Sequence, residues 1–178
     1  GAAMTALQPT WFFLIAILLG GYAVLDGFDL GVGPWYLIDR RDADRRSMLA
    51  AIGPTWDGNE VWLITGGGAL FAAFPAAYAS AFSAMYLALM LVLVGLVFRA
   101  VAIEFRNKHD SPAWRAAWDL AFGLGSTIPA LIFGVAIGNL LAGLPLDRQG
   151  DYTGTFHGLL DPYALTIGAT SLAMMATH

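Results

Sequence analysis

WFFLIAILLGGYAVLDGFDLGVGPWYL, residues 11–37, is the stretch whose reading decides the fold. It exceeds the roughly 20 apolar residues that a helix needs to cross a bilayer. Yet it carries Asp26 and Asp29 in its interior. A second apolar stretch, residues 48–74, carries Asp57 and Glu60 in the same way. A carboxylate at membrane depth is costly and survives where it faces a bundle interior, a partner or a water path. The expected architecture is therefore an all-α, polytopic transmembrane helix bundle with acidic groups turned inward.

Composition agrees. Of the 178 residues, 58% are hydrophobic and 12% charged, and the mean hydropathy is +0.65. That is too apolar for an ordinary soluble domain. The absence of cysteine excludes disulfides and thiolate metal sites. The N-terminus lacks the basic region of a signal peptide, and its apolar run continues into further helix rather than to a cleavage site. Gly1-Ala2-Ala3 ahead of Met4 reads as a foreign remnant.

Four full spans are expected, 11–37, 48–74, 78–99 and 118–141, followed by the start of a fifth from Pro162. Residues 1–10 form an N-terminal segment, 11–145 the four-helix bundle and 146–161 a periplasmic connector. Residues 162–178 read as an incomplete fifth helix. Arg40, Arg41, Arg45, Arg46, Arg99, Arg106, Lys108 and Arg115 gather at one side, leaving Arg148 alone of the nine Lys and Arg on the other. The positive-inside rule then puts the 38–47 and 100–117 connectors in the cytoplasm and the N-terminus outside. Trp11, Trp35, Trp114, Trp118 and Tyr163 lie near the expected span ends, as interfacial aromatics do.

The acids can be placed in depth. Asp29 stands eight residues before Leu37, about 12 Å from that end, and Asp57 nine residues after Met48, about 13 Å. On antiparallel neighbours these depths match. The i, i+3 spacing within each pair puts both groups on one helical face. Arg99 is the expected counter-charge, and Glu104 and Asp119 continue an ionisable trail to the surface. Desolvated carboxylates crowded by like charge hold and release protons near neutral pH, so Asp26, Asp29, Asp57, Glu60, Glu104 and Asp119 are candidates for a proton path. A structural reading stands beside it, in which the same acids pair with Arg99 and hold the bundle together.

Other features have limited meaning. Trp56-Asp57-Gly58-Asn59-Glu60-Val61-Trp62 is too polar and aromatic for a lipid-facing helix; Trp56, Asn59 and Trp62, with Arg99, are candidates for helix packing or subunit contact. Gly66-Gly67-Gly68 lacks the Lys-Ser/Thr of a phosphate loop and suits close helix approach. His109, His157 and His178 share no span, so no haem-binding or metal-binding residue is assigned. No catalytic triad or basic nucleic-acid patch is present.

Gly21-Tyr22-Ala23-Val24-Leu25-Asp26-Gly27-Phe28-Asp29-Leu30-Gly31-Val32-Gly33 resembles the first helix of subunit II of cytochrome bd ubiquinol oxidases. Trp56–Thr65 followed by Gly67-Gly68-Ala69-Leu70-Phe71-Ala72-Ala73 resembles its second. Phe98-Arg99, Glu104-Phe105-Arg106, Trp114, Trp118-Asp119 and Gly138-Asn139-Leu140-Leu141 with Gly143 continue the likeness in order, over nearly all of 11–178. The resemblance implies the N-terminal bundle of a larger subunit built from two repeated four-helix bundles, in the bacterial inner membrane. It implies that b-type and d-type haems belong to a partner, subunit I, and that this chain binds none. It implies that the complex oxidises quinol, reduces dioxygen to water and takes protons from the cytoplasm. A structural quinone, small accessory single-span subunits, membrane lipid and the quinone pool are the other implied partners. Asp29, Trp56 and Asp57 match family positions linked to haem stability or proton supply. Glu104 stands where some members have Asp, and Glu60 where some have Gln. The chain would be a non-haem subunit of a quinol:oxygen oxidoreductase, inactive alone. The alternatives are half of a proton- or cation-coupled transporter, or a purely structural assembly subunit.

Overall fold

The structure, a computed structural model, describes residues 2–178, with side chains described from Leu7 onward. Gly1 lies outside that description, while Ala2 and Ala3, the rest of the expected remnant, open the first helix. Seven α-helices follow in order: α1 (Ala2–Ile38), α2 (Asp42–Ile52), α3 (Trp56–Ala73), α4 (Pro75–Ala84), α5 (Tyr86–Phe105), α6 (Pro112–Ala142) and α7 (Pro162–Thr177). Three helical segments are long and apolar enough to cross a membrane: 7–38, 86–108 and 112–142.

The molecule is inverted relative to a soluble protein. Phe13 and Ile64 are 65% and 72% exposed, while Arg99, Asp26, Asp29 and Ser126 are fully buried. Apolar outside and polar inside is what a lipid solvent selects. With its three long apolar helices, the chain is a multi-pass membrane protein.

The helix ends follow local chemistry. Asp42 and Asp44 stand in the first turn of α2, where acids complement the helix dipole. Pro75, Pro112 and Pro162 open α4, α6 and α7, where a missing N–H costs nothing. Asp161 caps α7 by accepting from the Tyr163 and Ala164 amides. Gly143 ends α6 at φ 93°, a conformation that other residues adopt at a cost.

Two expected spans are broken. The 48–74 stretch divides at Gly53-Pro54-Thr55 into α2 and α3. Gly53 is still helical (φ −49°, ψ −40°), but Pro54 has no N–H for the Ala50 carbonyl and its ring crowds that carbonyl, and the chain leaves helical geometry at Thr55 (φ −126°), so the apolar run is not one helix. The 78–99 stretch divides at Met85 (φ −101°, ψ 20°), with α4 before it and α5 after. Pro75-Ala76-Ala77, between the second and third expected spans, forms the first turn of α4. The helix read as 118–141 begins six residues earlier, at Pro112, and runs through Pro129.

Helix α6 is central and packs on α1, α5 and α7. Small residues permit the approach. A Cβ on Gly31 would overlap the Met175 carbonyl of α7, and one on Gly138 would stand 2.8 Å from the Ala164 Cα. Helix α3 packs on α1 through Trp62 against Gly21 and Gly66 against Leu19.

Candidate functional site

Arg99 organises the interior. It sits two turns before the end of α5 and is completely buried. Its Nη2 bonds Asp26 Oδ1 at 2.8 Å and its Nη1 bonds Asp26 Oδ2 at 3.2 Å, a bidentate pair. Nη1 also reaches Glu60 Oε1 of α3 at 2.9 Å. Asp29 Oδ2 lies 3.8 Å from Nη2 and accepts from Asn59 Nδ2 at 2.7 Å. Asn59 also donates to the Leu25 carbonyl of α1 at 3.3 Å. Three carboxylates thus share one guanidinium, and the acids exceed the cation. Asp29 Oδ1, Arg99 Nε and the Tyr22 hydroxyl, one turn before Asp26, are buried without a hydrogen-bond partner.

The register of α3 decides which of its acids joins. Asn59, Trp62 and Gly66 face α1, a spacing of three and four residues that defines one helical stripe. Glu60, one step round, turns to α5. Asp57 is two residues before Asn59, about 200° away, and is exposed without an ion pair among the described residues. The expected side-by-side placement of Asp29 and Asp57 is therefore corrected: Asn59 takes that position. The depth arithmetic failed because 48–57 is not continuous helix. Trp56, half-buried, opens α3. Glu104 is likewise exposed at the end of α5 and makes no ion pair among the described residues.

Asp119 belongs to a second cluster. Its Oδ1 accepts from the Tyr36 hydroxyl at 2.7 Å and from Arg106 Nε at 2.5 Å. Its Oδ2 accepts from Arg45 Nη1 at 2.7 Å and from Arg106 Nη2 at 3.4 Å. Arg45 lies 5.1 Å over the Tyr36 ring and donates to the Asp39 carbonyl. Arg106 continues to Asp42 of α2 at 2.7 Å. That guanidinium holds the Asp42 carboxyl below the usual carboxylate range, and Arg41 holds Asp39 down at about 2.

An apolar layer separates the two clusters. Tyr36, Ile52, Ala102 and Phe122 pack as one group, each 0–1% exposed, with the Tyr36 and Phe122 rings 4.8 Å apart. On α5 Ala102 lies between Arg99 and Arg106, and on α6 Phe122 lies between Ser126 and Asp119. The expected trail from the Asp29 region to Asp119 is interrupted there. Sequence reading missed Tyr36, Arg45 and Arg106 because their partners are distant in the chain: Arg45 and Asp119 are 74 positions apart.

The three histidines are exposed and stand apart, His109 against Trp114 and His178 against Phe28. No pair of buried imidazoles fits a haem within the described residues.

A family model for cytochrome bd terminal oxidase subunit II matches residues 7–178. The chain is 49% identical over 177 residues to a probable cytochrome oxidase subunit 2 of Haemophilus influenzae, covering 97% of this chain and 47% of that protein. It is 48% identical to cytochrome bd-I ubiquinol oxidase subunit 2 of Escherichia coli with the same coverage. It is 39% identical to cytochrome bd ubiquinol oxidase subunit 2 of Bacillus subtilis, covering 98% of this chain and 52% of that protein. The chain spans about half the length of the curated relatives it matches. A buried Arg99 ringed by Asp26, Asp29 and Glu60 on apolar helices thus has a family context: the chain belongs to the cytochrome bd terminal oxidase subunit II family.

Proposed function

We propose that this chain is the N-terminal part of the non-haem subunit of a bd-type quinol oxidase of the bacterial inner membrane. It stabilises a haem-bearing subunit I and contributes protons from the cytoplasm for quinol-driven reduction of dioxygen to water. In the membrane it forms four spans, α3 joining α1, α5 and α6, with the N-terminus outside. The b-type and d-type haems reside in subunit I. An apolar cavity of about 610 Å³ between α3, α4, α5 and α6, lined by Phe71, Tyr78, Phe82, Tyr86 and Phe133 among others, suits a structural quinone tail or a lipid chain. Accessory single-span subunits and the quinone pool complete the setting.

One observation carries the reading: Asp57 is uncovered on a membrane helix whose other acid, Glu60, is tied to the buried Arg99 cluster. A carboxylate cannot face lipid cheaply, so Asp57 calls for a polar partner surface. Asp57 and Glu104 then form the outer part of the path, and Glu60, Asp29 and Asp26 its inner part. Asp119, behind the apolar layer, stands apart.

Asp57→Asn in the assembled complex is the test. It removes a titrating group at nearly constant volume. Oxygen consumption per haem is expected to fall about tenfold, roughly 1.4 kcal/mol on the barrier, with haem content kept. Full haem and full turnover would refute the path. The purely structural reading is favoured by the bidentate Arg99–Asp26 pair, and it expects lost haem or lost assembly instead. Orientation is tested separately. A cysteine at Ala43 should label only from the cytoplasmic side and one at Asp151 only from outside.

A further inference from the structure

The junction of α1, α5 and α6 holds more polar atoms than its side chains can pair. Asp29, Arg99 and Ser126 are each 0% exposed, and Asp29 Oδ1, Arg99 Nε and Ser126 Oγ have no hydrogen-bond partner. Several helical hydroxyls elsewhere satisfy themselves on backbone, whereas Ser126 Oγ and the adjacent Thr127 Oγ1 are both buried and unpartnered. Ser47, Thr166, Thr170 and Thr177 each donate to the carbonyl four residues back. Ser171 on α7 donates across to the Ala130 carbonyl. Ser126 does neither.

Helix packing places Ser126 beside the cluster. A Cβ on Gly33 would stand 2.5 Å from the Ser126 Cβ, and Gly33 lies one turn beyond Asp29 on the same face of α1. The neighbouring Gly125 faces α5, where a Cβ would stand 2.9 Å from the Arg99 amide nitrogen. One more acceptor is present. Pro129 has no N–H, so the Gly125 carbonyl lacks its helical donor. That carbonyl oxygen points at Gly95, one turn before Arg99, within 3.2 Å of where a Cβ would sit.

Buried polar groups that side chains leave unpaired are met by ordered water, which makes about three hydrogen bonds in such sites. We propose that this junction is a water site and that Ser126 positions the water for Asp29. Arg99 Nε–H and the Ser126 hydroxyl donate to the water oxygen. The water donates to Asp29 Oδ1 and to the Gly125 carbonyl. All four bonding positions of the water are then used, and each of these four protein atoms gains a partner. The water reaches Asp29 from the α6 side, whereas Asn59 reaches it from α3. It therefore sets how readily Asp29 holds a proton. This last step rests on the proposed role of Asp29 in proton supply; the water site itself does not.

The test uses the whole oxidase complex. A density map fine enough to show solvent should contain a peak within hydrogen-bond distance of Ser126 Oγ in the unmodified complex. The peak should move or weaken in Ser126→Ala, which removes one of the water's two donors, and stay unchanged in Ser171→Ala, which removes a hydroxyl bonded elsewhere. No peak in the unmodified complex overturns the site, and a peak unchanged in place and strength in Ser126→Ala overturns the positioning role of Ser126. The unmodified map decides the site even where Ser126→Ala fails to assemble. Positioning is read by redox-difference infrared spectroscopy. The carboxyl band assigned to Asp29 through Asp29→Asn should shift in Ser126→Ala at full haem content, and an unmoved band overturns the positioning role. Full turnover in Asp29→Asn would end the proton-supply reading while leaving the map result intact.

Discussion

The Arg99 and Asp119 clusters are built from the same residue types and are opposites in balance. Around Arg99, three carboxylates share one guanidinium, and polar atoms of Asp29 and Arg99 stay unpaired. Around Asp119, one carboxylate meets two guanidinia and a phenol, and both its oxygens are bonded. A network with surplus acid and open valences has room for a proton or a water. A saturated one has none, and its work is mechanical. It ties the ends of α1, α5 and α6 to the amphipathic α2 through Tyr36, Arg106, Asp119 and Arg45. Burial does not make a carboxylate functional; an incomplete set of partners does.

The largest test of that contrast is Arg99→Leu. Removing one partner of a buried ion pair leaves uncompensated charge and costs about 3–5 kcal/mol. Here two or three carboxylates would be stranded, so the subunit should fail to accumulate in an assembled complex, as measured by haem-containing complex per membrane protein. Arg99→Lys should not restore it, because an ammonium cannot make the bidentate contact with Asp26. A stable, fully assembled Arg99→Leu complex would mean that the acids are neutral there, and the surplus-charge argument would fail.

Asp119→Asn comes next. It weakens bonds from Arg45, Arg106 and Tyr36, each charge-assisted contact worth about 1.5–3 kcal/mol. The expected result is lower thermal stability in detergent with turnover per haem unchanged. Asp57→Asn should show the reverse pattern. If Asp119→Asn instead lowers turnover at unchanged stability, the two clusters are one path and the apolar layer of Tyr36, Phe122, Ile52 and Ala102 does not insulate them.

Gly31→Ala should cost less, about 1–3 kcal/mol, as overpacking in a close interface does. The added methyl would meet the Met175 carbonyl, which is backbone and cannot swing aside. Unfolding temperature in detergent reads the loss. A neutral result would show that α7 is loosely held against α1.

Much of this was legible in the sequence, and its failures have causes. The apolar runs and their inward acids fixed the fold class, and the i, i+3 pair Asp26 and Asp29 with Arg99 lies where spacing suggested. The misplacement of Asp57 came from reading through Gly53-Pro54-Thr55 as if a proline inside an apolar run were tolerated. The break at Met85 has no proline or glycine to announce it. The Asp119 knot was hidden for another reason. Arg45 and Arg106 look like ordinary connector cations, and only tertiary contact shows that they are spent on a buried acid. Ser126 carried no signal at all, since a serine in a helix ordinarily bonds its own backbone.

The smallest expected effect lies at the rim of the Asp119 knot. Asp42 pairs with Arg106 at 2.7 Å and Arg46 at 2.8 Å, and its side chain is 42% exposed. Its carboxyl is held below the usual range by Arg106 in the folded protein, whereas in the unfolded chain it returns to about 3.9. A carboxylate depressed on folding adds stability that is fully present above the unfolded value and is lost as pH falls through the folded one. The difference in stability between the parent and Asp42→Asn should therefore be steady from neutral pH down to about 5 and close below about 4. Solvent screening keeps it under about 1 kcal/mol, and added salt should shrink it further. Thermal unfolding of both proteins in detergent across that range provides the measurement. A gap that persists unchanged at pH 3 would show that Asp42 acts through shape or hydrogen bonding rather than charge, and that the knot's electrostatic part ends at Asp119.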